Sequence, residues 1–89
     1  MFRYKKSAKV GYIRQGYIYF YSRMYQELDA DAKRYIEQTA ALAAGNEPEY
    51  APAVLRYVTS DDTPTKICEE HHLSRATLHR AVARYYELF

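Results

Sequence analysis

An all-α fold, a small helical domain closing on a C-terminal helix-turn-helix, is predicted by three observations. Apolar residues recur at helical spacing in several segments, the clearest of these segments begin at capping residues, and the last two are separated by a turn of about three residues. At 89 residues the chain has the size of one compact domain. It divides into a basic arm at 1–11, a helical half at 12–49 and the helix-turn-helix module at 50–89.

Residues 12–28 are the most ambiguous element. Ile13, Tyr17, Phe20, Tyr21, Met24 and Leu28 fit an inward helical stripe, yet Tyr17 to Tyr21 is an unbroken aromatic and β-branched run. A helix and a short hairpin turning near Arg14 to Gly16 both fit. The next segment is clearer: Asp29 is a good N-cap, and Ala32, Tyr35, Ile36, Thr39, Leu42 and Ala43 form one stripe that stops at Gly45. Pro48 lies in a polar turn, and Pro52 suits the first turn of a helix over 51–58 that turns Val54, Leu55 and Val58 inward.

Two helix starts follow in quick succession. Thr63 caps and Pro64 opens a helix over 64–71 with Ile67 and Cys68 inward, Leu73 is the apolar residue of the turn, and Ser74 caps a helix over 75–87. On that last helix Leu78, Val82, Tyr85 and Phe89 recur as the buried stripe, which places Ala76, Arg80, Ala83 and Glu87 on the opposite side with His79 and Arg84 on the flanks. A short bracing helix followed by a longer capped one suits docking in a major groove.

The net charge of +2 hides a segregated distribution: residues 1–23 carry six bases and no acid, 24–55 sum to −4, and 56–89 balance five against five. The cations Arg3, Lys5, Lys6, Lys9 and Arg14 therefore form a basic arm suited to phosphates. Eleven tyrosines and no tryptophan are present, and five crowd into residues 12–25. Three readings fit that crowding: half-buried core residues, a platform for stacking bases, or a surface for a protein partner or a homodimer.

Other classes find little support. No apolar run reaches the length of a membrane span and no signal core opens the chain, so a cytoplasmic protein without membrane association is expected. The single cysteine, Cys68, excludes an internal disulfide, and His71, His72 and His79 lack a second ligand pair, so no metal or other cofactor is expected. With no phosphate loop and with Cys68 on the packing side of a short helix, no enzymatic activity is expected.

Residues 54–86, VLRYVTSDDTPTKICEEHHLSRATLHRAVARYY, resemble the fourth region of bacterial sigma factors and the short sigma-like activators of phages and mobile elements. Leu55, Arg56 and Tyr57 in a leading helix, the polar loop 59–62 and the LSRATLHRAV segment carry the likeness. It implies a transcriptional regulator of phage or mobile-element kind that binds double-stranded DNA, with Arg75, Ala76, His79 and Arg80 facing bases. Arginine forks to guanine and alanine leaves room beside a thymine methyl. Ser74, Thr77, Thr65, Lys66 and Arg84 are the expected phosphate contacts. His72 stands where such turns carry glycine, and His71 where they carry an apolar residue. The alternative function is a helical module that binds a protein, such as a phage-encoded inhibitor or adaptor of a nucleic-acid enzyme.

Overall fold

The computed structural model describes residues 2–89, and among them there are five α-helices and no strand. They are α1 (Tyr12–Arg23), α2 (Ala30–Ala44), α3 (Ala51–Thr59), α4 (Pro64–His71) and α5 (Arg75–Leu88), with 3-10 turns at Tyr25–Glu27 and Pro48–Tyr50. Three of the helix starts are made as the side chains dictate. Asp29 accepts from the Ala32 N–H at 2.8 Å, Thr63 from Lys66 at 3.2 Å and Ser74 from Thr77 at 3.1 Å, each relieving a donor that has no partner inside its helix.

Helix α2 packs on α3 and α5, α3 on α1 and α4, so both halves of the chain share one core. Ile18, Ile36, Val54, Ile67, Leu78 and Val82 lie at its centre with essentially no exposed surface. Burial of each contributes roughly 1.5 to 3 kcal/mol. Tyr85 is equally buried, and its hydroxyl lies 2.7 Å from that of Ser22, joining α5 to α1.

Residues 12–23 are helical, which settles the choice against a hairpin. The helix, however, turns the other way from the expected stripe. Gln15, Ile18, Tyr19 and Ser22 are its buried residues, whereas Ile13, Tyr17, Phe20 and Met24 are 81, 51, 60 and 46% exposed. Polar groups can face inward because partners meet them there. The Gln15 side chain accepts from the Lys5 N–H at 2.8 Å and donates to the carbonyls of Lys5 and Val10 at 3.0 and 2.9 Å. Ser22 has Tyr85.

Those bonds also decide the course of residues 2–11, which fold back on the domain instead of projecting as an arm. Phe2 stacks at a tilt on Tyr12 and Tyr19, Ala8 is buried, and the Lys9 N–H donates to the Glu87 carboxylate at 3.0 Å. This stretch lies beside the last turns of α5, so Ala83, expected on the outer face, is buried. Leu42 and Tyr35, expected inward on α2, are exposed, and Tyr35 instead forms part of an aromatic cluster around Phe89 with Tyr17, Tyr21 and Tyr85. Phe89 itself is only half-buried.

At Gly45 the backbone takes φ 67° and ψ −127°, and an added Cβ would lie 3.0 Å from the Arg84 guanidinium. Glycine alone accommodates both. The α4 helix ends at His72 in the left-handed conformation (φ 57°, ψ 49°), with the N–H groups of His72 and Leu73 both donating to the Cys68 carbonyl. A non-glycine residue therefore occupies the glycine position of the turn, with the conformation that position requires.

Candidate nucleic-acid interface

Helix α5 sorts its residues sharply. Leu78, Ala81, Val82, Tyr85 and Tyr86 are buried, while Arg75, Ala76, His79 and Arg80 are exposed and share one patch on its first two turns. The two hydroxyls at its start are coupled: Ser74 accepts from the Thr77 N–H and donates to the Thr77 Oγ1 at 2.8 Å. Thr65 and Lys66 are exposed on the first turn of α4, with the Lys66 ammonium 4.0 Å from Asp62.

Arg84 is placed differently from the expected phosphate contact. Its Nε donates to the Ala43 carbonyl at 2.9 Å and its Nη2 to the same oxygen, so the guanidinium caps the C-terminal end of α2. A carbonyl at a helix end lacks an intrahelical donor, and a cation there is favourable. This pairing spans 41 residues and no local signal announces it.

The acids near the turn are also occupied. Arg56 donates from Nε to Asp62 and from Nη1 to Glu70, both at 2.8 Å, tying α3 to α4. Its hydrogen bonds hold both carboxyls below the usual carboxylate range. The charges that would repel a duplex beside the turn are thus partly neutralised.

Of the expected arm, Arg3 and Lys5 come to the side of α5 that carries Arg75 and His79. Lys5 sits with its ammonium 4.8 Å from the Tyr86 ring centroid and 5.6 Å from that of Tyr57. Burial, and then Arg23, lowers its pKa. Lys6 and Lys9 are exposed, and Arg14 lies over Tyr17 and Phe89 at the far end of α5. Two residues missed in the sequence join this group. Arg23, at the end of α1, and Tyr57, on α3, line the same cleft as Arg3, Arg75 and His79, a cavity of about 510 Å³. His79 is pulled below its ordinary pKa by partial burial and by the charges of Arg75 and Lys5, a sign of positive potential there.

Among the described residues no group of three or more histidine, cysteine or acidic side chains could hold a metal, and no helix is long and apolar enough to cross a membrane. No known family model, curated protein or solved structure matches the chain.

Proposed function

We propose that the protein is a small DNA-binding transcriptional regulator that docks α5 in the major groove, with α4 as the bracing helix of a helix-turn-helix. The observation that carries this reading is the patch formed by Arg75, Ala76, His79 and Arg80 on the first two turns of a helix whose other side is locked in the core. Arg75 and Arg80 supply the forked donors that pair with a guanine edge, and Ala76 allows close approach between them. Ser74, Thr77, Thr65 and Lys66 line the starts of the two helices, where free amides and hydroxyls meet phosphates.

The protein acts as a homodimer through α1. Ile13, Tyr17, Phe20 and Met24 follow one another at helical spacing on its outer side, and together they expose on the order of 450 Å² per copy, given about 200 Å² for a whole aromatic side chain. A patch of this size is within the range of the largest one on a typical monomer, and such patches are often functional. Two such stripes paired about a twofold axis would bury up to about 900 Å², and flanking residues must add to this to reach the roughly 1,200 Å² at which stable interfaces begin. A twofold pair doubles the base contacts of a single short helix, which alone discriminates poorly among genomic sites.

The test is selection of duplexes from a random pool, followed by comparison of the parent with Arg80→Ala. The substitution is expected to cost roughly 1 to 3 kcal/mol on the selected site and much less on random duplex, with folding intact. No affinity for any duplex at low salt would overturn the reading in favour of a protein-binding module. For the dimer, the parent is expected to sediment as a dimer and Phe20→Asp as a folded monomer. A monomeric parent would overturn self-association.

A further inference from the structure

We propose that the cleft bounded by Arg3, Arg23, Arg75 and His79 is a phosphate-binding site, which borders the proposed base-reading patch of α5 and shares Arg75 and His79 with it. The cavity of about 510 Å³ lies between the end of α1, the starts of α4 and α5, and the folded-back residues near Arg3, with Tyr57 in its wall. It adjoins a smaller pocket of about 70 Å³, which Arg3 and Arg23 also line together with Lys5 and the ring of Tyr86. Four basic side chains from three separate parts of the chain thus line these two neighbouring pockets.

The cations are under-compensated. Asp62 is engaged by Arg56 and Lys66, which leaves Asp61 alone against Arg3, Lys5, Arg23 and Arg75. Asp61 pairs with Arg23, but its side chain is almost wholly exposed, and an ion pair of that kind contributes little and yields readily to a stronger anion. The hydrogen bonding of Arg23 is also incomplete. Its Nε is buried and has no hydrogen-bond acceptor, an uncommon state for a buried donor. The guanidinium also lies over the Tyr19 ring, 4.5 Å from the centroid, which fixes its plane.

The geometry favours phosphate over a carboxylate. Three planar guanidinium groups around a space of this size can meet several tetrahedral oxygens at once, where a carboxylate offers only two. Thr63 and Pro64 bring the positive end of α4 to the same cleft. The source of the phosphate is either the DNA backbone or a free phosphate compound, and the chemistry is common to both.

His79 reports on the site without depending on activity: burial first, and then the charges of Arg75 and Lys5, depress its titration, and an anion in the cleft offsets the contribution of those charges. By NMR, the titration midpoint of His79 is expected to rise when inorganic phosphate replaces chloride at equal ionic strength. Arg23→Gln and Arg3→Gln should each weaken that response, and Arg3, exposed on the folded-back segment, serves if the first variant folds poorly. In the second arm the salt dependence of duplex binding is measured. A backbone source predicts that each variant lowers the slope by about one while keeping the parent's preference among duplexes.

A shift of His79 with free phosphate but an unchanged duplex slope assigns the site to a small phosphate compound. The same shift in a protein that binds no duplex at all sinks the DNA reading and leaves this proposal standing. If phosphate fails to move His79 and neither variant alters the slope, the proposal is overturned.

Discussion

Gln15→Leu tests the force that holds the basic segment on the domain. The side chain is fully buried and makes three hydrogen bonds, one to the Lys5 N–H and two to the carbonyls of Lys5 and Val10. Leucine and glutamine have similar helix propensities and comparable size, so α1 itself should survive. At about 1 kcal/mol net per bond, the loss is roughly 3 kcal/mol. Leaving three backbone groups unpaired against leucine would cost at least as much, and the chain can avoid this by releasing residues 2–10 into water. The expected loss is therefore about 2 to 3 kcal/mol, taken mainly as detachment of the segment. Because each 1.4 kcal/mol is tenfold, native-state trypsin cleavage at Lys5, Lys6 and Lys9 should rise roughly 30- to 150-fold under limiting protease. Helical circular dichroism should change little. Cleavage and urea midpoint both equal to the parent's would refute the claim that Gln15 pins the segment.

The Ser22–Tyr85 pair gives a second test: Tyr85→Phe and Ser22→Ala should each cost about 1 to 3 kcal/mol by orphaning a buried hydroxyl, and the double variant clearly less than their sum. Strict additivity in urea denaturation would show that the hydroxyls do not depend on each other. His72→Gly should stabilise the protein by about 0.5 to 1 kcal/mol, because left-handed backbone is costly for histidine and the side chain is exposed. A rise of a few degrees in Tm is expected, and a fall would mean that the imidazole contributes something beyond the turn.

Much of the helical plan was legible because its signals are short-range. The caps at Asp29, Thr63 and Ser74 each act across three residues, and Pro64 and Gly45 mark a start and a stop by their own backbone constraints. The stripe of Leu78, Val82 and Tyr85 likewise follows from local periodicity, and with it the outward placement of Arg75, Ala76, His79 and Arg80. The resemblance put a glycine position at His72, and the backbone there is left-handed.

What local patterning could not supply is the choice between two faces of α1. Its apolar stripe points to solvent because Gln15 and Ser22 find partners at Lys5, Val10 and Tyr85, and a polar group inside is stable only when such partners meet it. The same physics turned Arg84 towards the Ala43 carbonyl and brought Arg23 beside Arg3 and Arg75. The starts of α2, α4 and α5 were thus determined by the sequence through bonds between near neighbours, whereas the helical pattern read over 12–28 outruns α1, which ends at Arg23. The inward face of α1, the docking of the basic segment and the cationic cleft were decided only by the tertiary structure, because their partners are distant in the chain.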